Sequence, residues 1–276
     1  YRGDKTMKWL LQVLIHVLSL SLIISQDYPK KKFYKREKHA AKIMGRDDRK
    51  YGDHSGNRVL CRFYNHGSIG DQSSSFSGVY PIGSGHSYIW EFSPVVAASV
   101  VDTNGFRRHI VSDGISGLVD ASPEGTPWSF EPLSGYSNPN QENLAMSDNE
   151  NSWPNSWPNR TEDWNGEWNG QYGKYVRADQ ESYFVVDDRY NSEFEFWPDQ
   201  NDIPEDPTVS PDEHRRGLGI EMEARGYQWN HPAAEDIIIV TYWITNVGSS
   251  VLDSVVFGMY GDADIGGASS FSDDDA

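Results

Sequence analysis

Five residues have the types and the spacing to hold a hard cation: Asp262, Asp264, Gly266, Gly267 and Asp273. Counted from Asp262 as position 1, they fall at positions 1, 3, 5, 6 and 12. Calcium loops place oxygen ligands at 1, 3, 5 and 12 and a glycine at 6 for the sharp turn. The match is partial, since position 12 is the shorter Asp instead of Glu and position 8 is Ser269, where an apolar residue is usual. Asp274 offers a fourth carboxylate, and backbone carbonyls would complete the shell. Carboxylates held close together repel one another, and a divalent cation removes that repulsion. Calcium is expected over zinc because the loop contains no His or Cys. The competing reading is a solvated acidic turn, because short acid-rich motifs match by chance.

A second group is aromatic. Ser-Trp153-Pro-Asn is repeated at once as Ser-Trp157-Pro-Asn, and Trp164-Asn-Gly-Glu is followed by Trp168-Asn-Gly. Pro blocks regular strand pairing and Asn-Gly favours tight turns, so these rings belong to a compact loop. Flat apolar rings on a loop can stack on sugars, which makes Trp153, Trp157, Trp164 and Trp168 candidate carbohydrate contacts. The competing reading folds the same rings back over the core of a chain that has no disulfides. Buried aromatics are the commoner case, so capping is expected first and sugar binding second.

Catalytic motifs are absent from the sequence. There is no Gly-x-Ser-x-Gly elbow, no His-Glu-x-x-His pair and no phosphate-binding Gly-x-x-x-x-Gly-Lys loop. The eight histidines show no metal-ligand spacing. Paired carboxylates are frequent, as a chain this acidic makes them by chance, and only their separation in space identifies a glycosidase pair. Asn159-Arg160-Thr161 fits a glycosylation sequon, relevant only in a eukaryotic secretory route. The lone Cys61 lies in an apolar run and is expected to be a small buried residue, not a nucleophile.

Charge and hydropathy suggest where the protein goes. Residues 1–50 hold 13 of the 24 Lys and Arg but only 5 of the 41 Asp and Glu, so the remainder is strongly acidic. Such a body repels nucleic acid and anionic membrane, and neither is an expected partner. Met7 reads as the start of translation, with residues 1–6 as upstream read-through. A Lys, a 16-residue mostly apolar run over 9–24 and a small residue at Ser25 describe a signal peptide over 7–25. The run is shorter than the roughly 20 residues a membrane span needs, so no transmembrane span is expected in the mature chain. Residues 26–57 read as a basic linker and a disordered N-terminus.

The elements that must position these groups are strands. Short runs rich in β-branched and aromatic residues recur between Gly, Ser, Pro and Asn. Candidate strands cover 58–64, 87–92, 95–101, 107–112, 181–187, 192–197, 218–225, 236–246 and 251–260. In the 218–225 segment Leu218, Ile220, Met222 and Ala224 alternate with Glu221, Glu223 and Arg225, so one face is expected buried and the other wet. Leu218, Ile220, Met222, Val240, Tyr242, Ile244, Val255 and Phe257 are expected in the core. The 247–250 turn is expected to join the last two strands as a hairpin that carries the acidic loop. The fold class is therefore mainly β, an antiparallel β-sandwich or two packed β modules over 58–150 and 171–276, linked by the Trp-rich loop 151–170.

The 242–248 stretch (Tyr-Trp-Ile-Thr-Asn-Val-Gly), the 256–266 stretch with Asp262 and Asp264, Asp273-Asp274 and the Trp-Pro and Trp-Asn-Gly middle resemble a recurring segment of large exported β-rich proteins. These come from Bacteroidota-type and related marine bacteria. The resemblance implies a secreted or cell-surface protein, of which this chain is the front part, often ending in a type IX secretion sorting domain. It transfers no catalytic residue. The expected function is an exported β-sandwich with a binding or structural role, calcium-stabilised, with a polysaccharide or cell-surface component as partner. The alternative is a secreted carbohydrate-active enzyme or its carbohydrate-binding part.

Overall fold

The computed structural model describes residues 48–70, 76–116, 121–123, 128–200 and 214–263. Among these residues ten strands follow in order: β1 (Tyr51–His54), β2 (Cys61–Tyr64), β3 (Glu91–Val101), β4 (Arg107–Asp113), β5 (Glu131–Pro132), β6 (Ala145–Met146), β7 (Gln180–Asp187), β8 (Ile220–Gln228), β9 (Ile239–Asn246) and β10 (Asp253–Asp262). All pairings between them are antiparallel. One sheet runs β10-β3-β4. The other runs β5-β7-β8-β9, with β6 also on β7, and β1 and β2 pair with each other.

The two sheets share a core. Val96, Ala98, Val100 and Ile110 of the first lie in one apolar cluster with Phe184, Val186, Ile220, Met222 and Ala224 of the second. The alternation in 218–225 produces this directly, since a strand turns every second side chain to the same face. Leu218, Ile220 and Met222 are buried as expected. Cys61 is fully buried in the same core, and burial pushes its thiol up to about 12.

Strand β7 is buried along its whole length. Phe184 and Val186 face the shared core, and Tyr183 and Val185 face a second cluster with Trp157 and Trp168. A strand covered on both faces reads as a continuous apolar run, and Tyr183-Phe184-Val185-Val186 is one. The Trp-rich loop is thus a further layer over the outer face of β7. It also covers part of the face of β8 that was expected to be wet, where Arg225 is 5% exposed.

Four expectations need correction. The last two strands are not a hairpin: β9 pairs with β8, and β10 pairs with β3. Local turn chemistry yields here to bonds with distant segments. Val247 N and Gly248 N donate to Gly219 O, and Ser249 N and Ser250 N donate to Pro198 O, so the connection crosses from one sheet to the other. Second, Val255 and Phe257 are 51% and 43% exposed, because β10 is an edge strand. Val240, Tyr242 and Ile244 are only partly buried against the core. Third, residues 192–197 are irregular, with bends at 193–195, instead of a strand, although Phe196 is buried. Fourth, most of 87–92 is irregular and only its end enters β3. Segments 58–150 and 171–276 contribute to both sheets, since β3 pairs with β10 and β5 with β7.

Candidate functional site

The tryptophan loop is built inward. Trp168 is 2% exposed and its Nε1 donates to Glu181 Oε2 at 2.7 Å. Trp157 is 3% exposed, donates from Nε1 to Glu167 O at 2.9 Å, and meets Trp168 edge-on at 6.0 Å. Trp153 is half-buried, donates to Met146 O at 2.7 Å, and lies 5.4 Å from Trp168. Trp164 is half-buried under two cations, with the Arg160 guanidinium 4.2 Å and the Lys174 ammonium 5.6 Å from its ring centre. The structure therefore brings the four predicted rings together as one packed cluster. Trp157 and Trp168 have no open face for a sugar.

Beneath them, polar groups are satisfied in pairs. Asn159 Nδ2 donates to Tyr183 Oη at 2.8 Å, and Tyr183 Oη donates to Glu223 Oε2 at 2.9 Å. Burial raises the Tyr183 phenol well above its ordinary range. Asn169 Nδ2 donates to Asn159 Oδ1 at 3.0 Å, so both ends of the Asn159 amide are engaged. A glycan on Asn159 would break that arrangement. The Arg225 guanidinium sits 3.9 Å from the Tyr183 ring centre and donates to Asn169 O.

Next to the buried cluster lies an open aromatic face that sequence reasoning missed. Tyr172 and Tyr175 are each 51% exposed. The exposed Arg177 guanidinium lies 5.1 Å from the Tyr172 ring centre and 5.0 Å from that of Tyr175, and its Nη2 donates to Tyr175 Oη at 2.5 Å. Trp229 stacks on Tyr227 at 5.8 Å with an interplanar angle of 14°, and its Nε1 donates to Arg177 O at 3.2 Å. Tyr227 Oη donates to Gln171 Oε1 at 2.8 Å.

Two devices fix this face. Glu181 Oε1, inside β7, accepts from Arg177 N at 2.7 Å and Ala178 N at 3.0 Å while Oε2 takes Trp168. One buried carboxylate thus ties the open loop to the closed cluster. The loop also curls too tightly for side chains at its glycines. A Cβ on Gly170 would come 2.4 Å from Gly173 O, and one on Gly173 would come 2.5 Å from the Tyr175 ring. The available signal was Gln171-Tyr172-Gly173-Lys174-Tyr175, in which tyrosines alternate with a glycine just beyond the tryptophan repeats.

Other groups are placed less favourably for ligands. A cleft of about 350 Å³ is lined by Asp102, Thr103, Trp197, Asp199 and Gln200 among others. The Asp102 carboxylate there is already engaged, accepting from Arg108 Nε at 2.8 Å, Asn104 N and Phe106 N; the Arg108 bond holds it below the usual carboxylate range. His54 Nε2 and Ser182 Oγ are 2.8 Å apart, a spacing suited to a nucleophile and its base. Both are fully buried, and no substrate reaches them. Gly226 makes room for the pair, since a Cβ there would lie 2.5 Å from His54 Nε2.

Of the expected calcium ligands, Asp262 closes β10, where its carbonyl accepts from Trp90 N at 2.9 Å and its carboxylate from Tyr260 Oη at 3.3 Å. Asp264, Asp273 and Asp274 lie outside the described residues, as does the apolar run over 9–24. Among the described residues, no three His, Cys, Asp or Glu side chains are grouped to hold a metal ion. No helix there is long and apolar enough to cross a membrane. Compared with known proteins, the chain matches no family model, no curated protein and no solved structure.

Proposed function

We propose that the chain is an exported or cell-surface β-sandwich protein whose role is to bind carbohydrate. The observation that carries this reading is the open face of Tyr172 and Tyr175, with the half-buried Trp229 beside it. Large rings are normally buried, and a cluster left exposed marks an interaction site. Rings also offer flat apolar area at little entropic cost, because only two side-chain torsions must be fixed. Here the tightly curled glycine loop and the Glu181 carboxylate hold them in place before any ligand arrives, which is the arrangement that lowers the penalty of binding. The signal-peptide pattern over 7–25 supports export.

The test is retardation of the protein in gels cast with soluble polysaccharides. Retardation is expected for the parent chain, and Tyr172→Ala with Tyr175→Ala should abolish it while leaving the melting temperature within a few degrees of the parent's, since about half of each residue is in solvent. Unchanged retardation of the double variant would remove these rings from the site.

A further inference from the structure

The open face carries a charge as well as rings, and among the described residues no carboxylate meets that charge. In a chain with net charge −17, the other cations of the described residues are mostly neutralised: Arg58, Arg62, Arg108, Lys174 and Arg215 each meet a carboxylate. Arg177 meets none among the described residues. Its side chain bonds to the Tyr175 hydroxyl and lies against two exposed rings. Its backbone, by contrast, is fixed at both polar groups, N–H to Glu181 and C=O to Trp229. A solvent-exposed guanidinium held rigidly at the base, bonded at its tip to one tyrosine hydroxyl and flanked by flat apolar surfaces, matches a ligand that joins a carboxylate to a ring.

We infer that this face binds acidic polysaccharide, with Arg177 taking the carboxylate of a hexuronate unit whose sugar ring lies on Tyr172 or Tyr175. The inference rests on the carbohydrate reading above and narrows its substrate class. The planar fork of arginine pairs both oxygens of a carboxylate at once, which a lysine does not do. The acidic body disfavours densely charged polymers at long range. One carboxylate per sugar, with the surrounding charge screened beyond about 8 Å at physiological salt, is compatible with it.

The experiment is calorimetric titration of the parent chain and of Arg177→Gln and Arg177→Lys with two probes of equal length, an oligomer of galacturonic acid and an oligomer of galactose. The parent is expected to bind the acidic oligomer more tightly, by about tenfold, the worth of one charge-assisted contact. In Arg177→Gln the ratio of the two affinities falls to near one, Arg177→Lys recovers part of it, and added salt weakens only the acidic probe. Equal binding of both probes by the parent overturns the inference and leaves the carbohydrate reading standing. A preference that survives in Arg177→Gln also overturns it, since the acid is then read elsewhere. Binding of neither probe removes both.

Discussion

At the scale of single residues, burial separates rings that hold the fold from rings that face solvent. Trp168 touches Trp153 and Trp157 and bonds to a buried carboxylate. Trp168→Ala is expected to lower stability by about 3–5 kcal/mol in a denaturant titration, whereas Tyr172→Ala should change it by less than about 0.5 kcal/mol. The sequence announced a loop of tryptophans through Pro and Asn-Gly, but not which rings turn inward. That depends on β7 having a second apolar face, whose partners are set by tertiary contacts. Two buried titratable groups give a pH test. Burial pushes His54 down to about 4, so its contribution is present above about 6.5, its unfolded value, and is lost as pH falls to 4. Asp188 moves the other way. Burial first, and the neighbouring Asp187 second, push it up to about 6, although Leu218 N and Ile220 N donate to it. Its contribution is present below about 3.9 and is lost as pH rises through 6. The two slopes oppose each other in the same window, so the parent's stability is expected to vary little between pH 4 and 6.5 on their account. Asp188→Asn should unmask the His54 loss, seen as a melting temperature that falls more steeply on acidification. A slope no steeper than the parent's would contradict this.

At the scale of elements, the alternating strand and the fully buried strand were legible because periodicity records burial on one face or two. The partner of each strand was not. The Val-Gly-Ser-Ser turn is a sound hairpin signal in isolation, yet its amides bond to Gly219 and Pro198 and carry the chain to the other sheet. Gly219 has φ +73° and leaves no room for a Cβ, which would lie 2.6 Å from Pro198 Cβ. Gly219→Ala should therefore destabilise by roughly 1–3 kcal/mol, read from the same denaturant titration, through backbone strain and displacement of the crossing. The crossing leaves β9 and β10 each at the end of a sheet. Trp243, Val255, Val256, Phe257 and Met259 are all more than a third exposed along them. Uncovered apolar edges template association with other chains. Val256→Lys with Trp243→Lys is expected to delay aggregation in light-scattering assays without lowering the melting temperature.

At the scale of the whole molecule, strand patterning foretold a mainly antiparallel β protein and an apolar run foretold a buried Cys61, whereas spacing could not foretell the open face. Tyr172 and Tyr175 lie on the loop after the Trp repeats, and Trp229 follows β8, more than fifty residues later in the chain. The same interleaving has a consequence in time. Strand β3 ends at Val101 and one of its two neighbours begins at Asp253. At roughly 5–20 residues per second, a ribosome needs about 8–30 seconds to make the intervening chain. During that interval β3 and β4 can pair, but the far edge of β3 stays unfilled and the sheet cannot close. Local hairpins form in microseconds, so the closing of this sheet is timed by synthesis, and the nascent chain stays unfinished and threadable until β10 has emerged.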